Sequence, residues 1–173
     1  PEVGAVGSWL PAFGTDDRTF ATPPDDAACR ALALFGMPVI YPSCMLRRVV
    51  LDEHGVRCDP TWLLPGMDYL FMLKVGKYAA YANVQEPLTY YRVGEQNMRH
   101  GRDPVSDARN LYREVLTRFG LPTSDEQVEA HLALQSTFDI RMSSALVHEV
   151  VRWMAELRQW NARSGWCPGN ALE

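Results

Sequence analysis

The sequence predicts an α/β region over residues 1–100, followed by an all-helical extension over residues 101–173. In the first region, short runs rich in β-branched and aromatic residues alternate with helix signals, which is typical of α/β folds. Beyond Gly101 the signals are helical only, beginning with Asp103 and Pro104. Three or four strands do not make a self-sufficient doubly wound sheet, so we expect the α/β region to be incomplete.

The composition argues against two classes of protein, those that bind nucleic acid and those that span a membrane. The chain is 47% hydrophobic and 22% charged, with a net charge of -4 and a pI near 5.6. This balance argues against a surface for nucleic acid. The sequence has no run of about 18 apolar residues and no opening signal segment, so we predict no transmembrane segment and a cytoplasmic location.

The four cysteines show neither a CxxC pair nor a histidine at ligand spacing, which favours thiols over disulfides or zinc. The chain opens without Met, inside a strand-like run, and stops at a Leu-Glu pair typical of expression vectors. We therefore expect it to be an excised piece of a longer protein.

The strands and helices of residues 2–55 are predicted from small residues, helix-capping residues and turn residues. Residues 2–10, "EVGAVGSWL", predict a buried strand whose glycines allow another backbone to approach closely. The stretch "TPPDDAACRALALFG" predicts a helix in which Thr22 is the cap and Gly36 the stop. The stretch "MPVIYPSCMLRRVVLDEHG" predicts a short strand, a Pro-Ser turn and a helix that runs to Gly55.

A loop, "CDPTWLLPG", then leads into the helix "MDYLFMLKVGKY". The runs "YAAYANV" and "PLTYYRVG" are rich in aromatic or β-branched residues and predict two more strands. In the extension, Thr123 and Glu126 predict a capping box. A long helix is predicted over residues 137–161, with a packing stripe of Leu146, Val150, Trp153, Leu157 and Trp160.

Three stretches between residues 34 and 100 carry a family resemblance. They are "LFGMPVIYPSCMLRR", "VLDEHGVRCDP" and "GMDYLFMLKVGKYAAYANVQEPLTYYRVG". In this order they resemble the C-terminal half of the bacterial inverting family 2 glycosyltransferases, and the tail is similar to the helical extension of bacterial members. The resemblance implies the acceptor-side portion of a GT-A-like, Rossmann-like sheet over residues 1–100. Met67 departs from the usual Glu, Tyr41 from a frequent His, and Gly94 from a frequent His.

The resemblance also implies partners. A complete enzyme of this kind takes a nucleotide-sugar donor and a saccharide or glycoside acceptor, and it uses a divalent cation, Mn²⁺ or Mg²⁺. The donor-binding half with its Asp-x-Asp motif would lie upstream of this sequence, so we expect no cofactor in this fragment and no activity of it alone. Apolar faces left bare would favour self-association of the fragment.

The resemblance places the catalytic Asp at Asp68, which follows a Pro-Gly turn and opens an apolar run. In an inverting transfer, one carboxylate suffices to take the proton from the attacking hydroxyl, and such a general base contributes about 10²–10⁴-fold to the rate. The alternative is that Asp68 only caps its helix, which stabilises a helix by roughly 0.3–1 kcal/mol. The two roles are compatible.

Three further residues are candidates for substrate binding. Arg92 could hold a diphosphate or an acceptor carboxylate, or it could form an ion pair with Glu86 or Glu95. Tyr41 and Ser43 stand at a turn where the family lines its sugar site, although turn chemistry alone also explains Ser43. The alternative function is a non-catalytic interaction or assembly module derived from this fold, in which Asp68 is tied up as a helix cap with no open cleft above it.

Overall fold

The computed structural model describes residues 2–97, 100–135 and 137–172. The chain divides into two compact units, Pro1–His100 and Gly101–Glu173. The strands of the first unit are β1 (Val3–Gly14), β2 (Thr19–Phe20), β3 (Met45–Leu46), β4 (Ala80–Pro87) and β5 (Tyr91–Val93). Its helices are α1 (Asp26–Leu32), α2 (Arg48–Glu53) and α3 (Met67–Val75). The second unit contains α4 (Pro104–Arg118), α5 (Asp125–Ala133) and α6 (Ser144–Ser164).

The first unit is built on β1, the long strand at the centre of a mixed five-stranded sheet. Strands β4 and β5 run parallel to β1, and β2 and β3 run antiparallel to it. Because β3 and β4 both pair with Ala5 and Val6 of β1, they lie on its opposite edges. The predicted α/β class is therefore confirmed, with a mixed sheet and several helices.

Gly7 shows why β1 needs small residues. A Cβ at this position would lie 2.5 Å from Asn83 Oδ1 and 2.9 Å from Val39 Cγ1. The Asn83 amide nitrogen donates to the carbonyl oxygens of Pro23, at 2.8 Å, and Pro38, at 2.9 Å. The glycine thus admits a buried side chain that joins β4 to two loops.

Most residues of helix α3 are buried, which agrees with the apolar side chains that it carries on nearly all sides. Its residues Phe71, Met72 and Val75 belong to a core cluster with Ala5, Cys29, Val39, Val50, Val56, Ala79 and Tyr81. Two buried tyrosines also donate their hydroxyl hydrogens to backbone carbonyls around this core. Tyr69 donates to the Ala33 carbonyl at 2.8 Å, and Tyr81 donates to the Met72 carbonyl at 2.7 Å. The start of α3 is therefore carried by a rigid element.

Two local predictions for the first unit are wrong. The cap of α1 is Asp25, whose side chain accepts from the Ala28 amide at 3.0 Å, and Thr22 lies before it. Residues 37–41 form no strand, since Val39 packs in the core and the antiparallel pairing falls on Met45–Leu46. Prolines on both sides of Val39 lack the amide hydrogen that a ladder requires.

In the second unit, Asp103 caps α4 and Pro104 is its first residue, as predicted. The capping box of α5 lies one residue later than predicted, between Ser124 and Gln127. Helix α6 begins at Ser144 rather than near residue 137, but Trp153, Leu157 and Trp160 of its predicted stripe are buried. Across the residues that the structure describes, no helix combines the length and apolar character needed to span a membrane.

Candidate active site

Asp68 lies at the start of α3, directly after a tight turn. Gly66 occupies the capping position with a φ of +99°, a left-handed conformation that glycine adopts without steric cost. Asp68 is the second helical residue, and its Oδ1 accepts from the Tyr69 amide at 2.9 Å. The half-buried carboxylate therefore binds a first-turn amide without being the capping residue.

The second oxygen of Asp68 stays available. Within residues 2–97, 100–135 and 137–172, Oδ2 has no hydrogen-bond or ion-pair partner. Lys74, the nearest cation in the same helix, donates its Nζ to the Arg57 carbonyl at 3.1 Å. One carboxylate oxygen is thus oriented by backbone while the other can accept a proton from a bound molecule.

The structure packs Tyr41 against α3, the helix that carries Asp68. Tyr41 opens a single 3-10 turn, Tyr41–Ser43, and its ring meets that of Phe71 edge to face, with the centroids 6.0 Å apart and the planes at 83°. Phe71 lies three residues after Asp68, so their side chains share one flank of α3. The pKa of Tyr41 is raised by burial first, and then by Cys58, Cys44 and the Asp68 carboxylate. Tyr41 is therefore joined to the helix of Asp68 through Phe71, and the two residues are named the Tyr41–Asp68 group.

Ser43 lies in the same turn but is engaged by backbone. Its Oγ accepts from the Ser8 amide at 3.1 Å and lies 3.1 Å from the Ser8 carbonyl and 3.0 Å from the Ile40 carbonyl, either of which can take its hydrogen. These contacts fasten the Tyr41–Ser43 turn to β1. In this position Ser43 orients Tyr41 rather than presenting a free hydroxyl.

Arg92 lies apart from this group. It is exposed on β5, opposite Phe13 of β1. Since Ser43 contacts Ser8, Arg92 stands five residues further along β1, or about 16 Å at the usual rise of a strand. Among the described residues the guanidinium has no ion-pair partner, so the alternative pair with Glu86 or Glu95 is not formed.

Two neighbours of Tyr41 had not been predicted. Cys44 and Cys58 both act on the Tyr41 hydroxyl, and burial raises the pKa of the Cys44 thiol. The spacing of Cys44 and Cys58 matches no known motif, so the sequence held no pattern that could have predicted their position near Tyr41. In the part of the chain that the structure describes, no three His, Cys, Asp or Glu side chains are placed to hold a metal ion.

Comparison with protein-family models finds no match to this chain, and comparison with curated proteins finds no match either. A functional assignment therefore depends on the geometry around Asp68.

Proposed function

We propose that residues 1–100 form the acceptor-side part of a GT-A-type, inverting, nucleotide-sugar-dependent glycosyltransferase, in which Asp68 is the general base. The observation that carries the proposal is the state of its carboxylate. One oxygen is held by the Tyr69 amide, and the other has no partner among the described residues.

The proposed reaction is a single displacement. The acceptor hydroxyl oxygen bonds to the anomeric carbon as the bond from that carbon to the nucleoside diphosphate breaks. The hydroxyl proton passes to the free oxygen of Asp68, and the bonding electrons leave with the diphosphate. A base fixed by a backbone amide does not need to reorient before it accepts the proton, which favours such proton transfer.

The other candidates take narrower roles in this proposal. Ser43 positions Tyr41 through its contacts with Ser8. Arg92, exposed and without an ion pair among the described residues, suits a diphosphate or an acceptor carboxylate. Donor and cation binding are assigned to a donor-side half outside these residues, so this fragment alone is expected to be inactive.

The unused carboxylate oxygen favours the enzyme over the assembly module. Gly66 holds the capping position of α3, but Asp68 lies in the first turn and accepts from the Tyr69 amide there, as a helix-stabilising acid does. The contact with the Tyr69 amide uses only one of the two carboxylate oxygens. The remaining capacity is what a general base requires.

The test is Asp68→Asn in the parent protein, with Asp17→Asn as the matched control because Asp17 is an exposed loop acid. We expect Asp68→Asn to lower transfer by about 10²–10⁴-fold while donor binding is unchanged, because only the proton acceptor is lost. Unchanged transfer would eliminate the assignment.

A second test uses the fragment itself. Isothermal titration calorimetry of the fragment with a nucleoside diphosphate and Mn²⁺ should give no measurable heat of binding. Tight, metal-dependent binding would contradict the assignment of the donor site to another part of the protein.

A further inference from the structure

The second unit contains an open cavity of about 380 Å³ at the end of α6, and the proposed function does not use it. Four of its lining residues lie on one face of α6 and of the residue that follows it, because they are spaced three, one and three positions apart: Arg158, Asn161, Ala162 and Gly165. We propose that this cavity binds a small molecule that carries one carboxylate on an apolar body. The inference does not depend on the catalytic proposal, which concerns the first unit.

The far side of the cavity is formed by the segment after α6, and this segment is held in place. The Asn161 side chain, which is 4% exposed, donates to the Cys167 carbonyl at 2.9 Å and accepts from the Cys167 amide at 3.0 Å. The ring of Trp166 meets that of Phe119 edge to face, with the centroids 4.9 Å apart. The segment then ends in a 3-10 turn, Gly169–Leu172, which completes the cavity. The cavity is therefore preformed, as small-molecule sites usually are.

Arg158 gives the cavity its preference for charge. Among the described residues that line the cavity, Arg158 alone is charged. Its side chain is exposed, and its guanidinium has neither an ion pair nor a hydrogen bond within residues 2–97, 100–135 and 137–172. Arg152 of the same helix differs, because it forms an ion pair with Glu149. An unpaired guanidinium presents its N–H donors in one plane, which matches the two oxygens of a carboxylate.

The rest of the lining determines the body of the ligand. It includes Ala162, Leu172 and two glycines, which offer carbon atoms and no charge. The Asn161 side chain is already hydrogen-bonded to Cys167. At roughly 30 Å³ per water molecule, the volume corresponds to on the order of ten water molecules, so an inorganic anion would fill little of it. The ligand that matches both features is an apolar body with one carboxylate.

The test uses two-dimensional ¹H–¹⁵N NMR of the 173-residue chain, which locates binding by residue. The probes are benzoate, benzamide and acetate. Benzamide has nearly the size and shape of benzoate without its charge, and acetate has the charge without the apolar body. We expect benzoate to shift the amide signals of residues 158–172 and to bind about fivefold more tightly than benzamide, which is the order that a partly exposed ion pair contributes. Acetate should bind more weakly than benzoate.

Three variants separate the charge from the cavity. Arg158→Gln should weaken benzoate by about fivefold and leave benzamide unchanged, because only the charge is lost. Arg163→Gln is the matched control and should leave both unchanged, since Arg163 is also exposed on α6 but does not line the cavity. Ala162→Leu, at an exposed helical position, places a larger side chain in the cavity and should weaken both aromatic probes. Circular dichroism checks that each variant is folded.

A chain that ends at Ala171 tests the role of Leu172, which belongs to the Leu-Glu pair typical of expression vectors. Benzoate should still bind to it, because Arg158 and the contacts between Asn161 and Cys167 remain. Loss of binding in this shorter chain would overturn the inference. Equal affinities for benzoate and benzamide, an absence of shifts in residues 158–172, or equal losses in Arg163→Gln and Arg158→Gln would overturn it as well.

Discussion

Substitution of Gly76, the residue that ends α3, tests the packing that supports the candidate site. A Cβ at this position would overlap the hydroxyl oxygen of Tyr81 and lie 2.5 Å from its Cζ. Tyr81 is 1% exposed, and its hydroxyl donates to the Met72 carbonyl at 2.7 Å. Gly76→Ala must therefore displace a buried ring and break a buried hydrogen bond.

The cost of this displacement has two parts and one offset. Overpacking costs about 1–3 kcal/mol, and a buried hydroxyl without its partner costs about 1–3 kcal/mol. Since Gly76 has a φ of -63°, alanine suits the backbone and recovers about 0.4–1 kcal/mol through the unfolded chain. We expect a net loss of about 3 kcal/mol in the free energy of unfolding.

Urea unfolding followed by circular dichroism measures the effect. With an m value of about 1.5 kcal/mol per molar urea, the midpoint should fall by about 2 M. Gly36→Ala is the control, because neither glycine has a positive φ and the nearest atom to a Cβ at Gly36 is Leu32 Cδ1 at 3.4 Å. A Gly76→Ala midpoint equal to that of the wild type would refute the packing argument.

Three other predictions concern separate parts of the chain. Trp153→Phe should lower the melting temperature, because it leaves His131 Nδ1 without the indole donor at 3.1 Å and both residues are fully buried; an unchanged melting curve would contradict this. Arg18→Gln should raise the pKa of Asp16 from about 2 toward 3.8, measured by NMR titration. Because the pKa of Asp16 in the folded chain lies below its ordinary value of 3.8, the stabilisation from Asp16 is present above about pH 4 and lost as the pH falls toward 2. Self-association is still expected, since Leu63 is 86% exposed, and a monodisperse monomer in light scattering would count against it.

Local rules predicted well where the deciding atoms lie within four residues. Asp103 and Pro104 were predicted to start α4, and they do, because a side-chain acceptor and a fixed φ act on the adjacent amides. The capping box of α5 was predicted at Thr123 but is formed by Ser124. The two neighbouring hydroxyls offer the same chemistry, and the path of the backbone determines which of them caps the helix. Short-range chemistry thus located the starts of α4 and α5 to within a residue, whereas α6 begins about seven residues later than predicted.

The same rules failed where distant contacts compete. The apolar run around Val39 resembles a strand, but its side chain packs against Gly7 and the core instead. The apolar character of α3 gave no preferred face, and the structure shows that most of its residues are buried. Burial by distant residues overrides local propensity around Val39. At α3 the predicted helix forms, and only its burial on most sides was not predicted.

The sequence by itself determined the α/β class of residues 1–100, the helical class of the second unit, the starts of α3 and α4, and the acid in the first turn of α3. Only the tertiary structure decided which strands pair with β1 and that Tyr41 packs on Phe71 of α3, the helix that carries Asp68. The physical reason is range. Caps and turns depend on bonds between near neighbours, whereas strand pairing and the Tyr41–Asp68 group depend on how distant segments share one buried core.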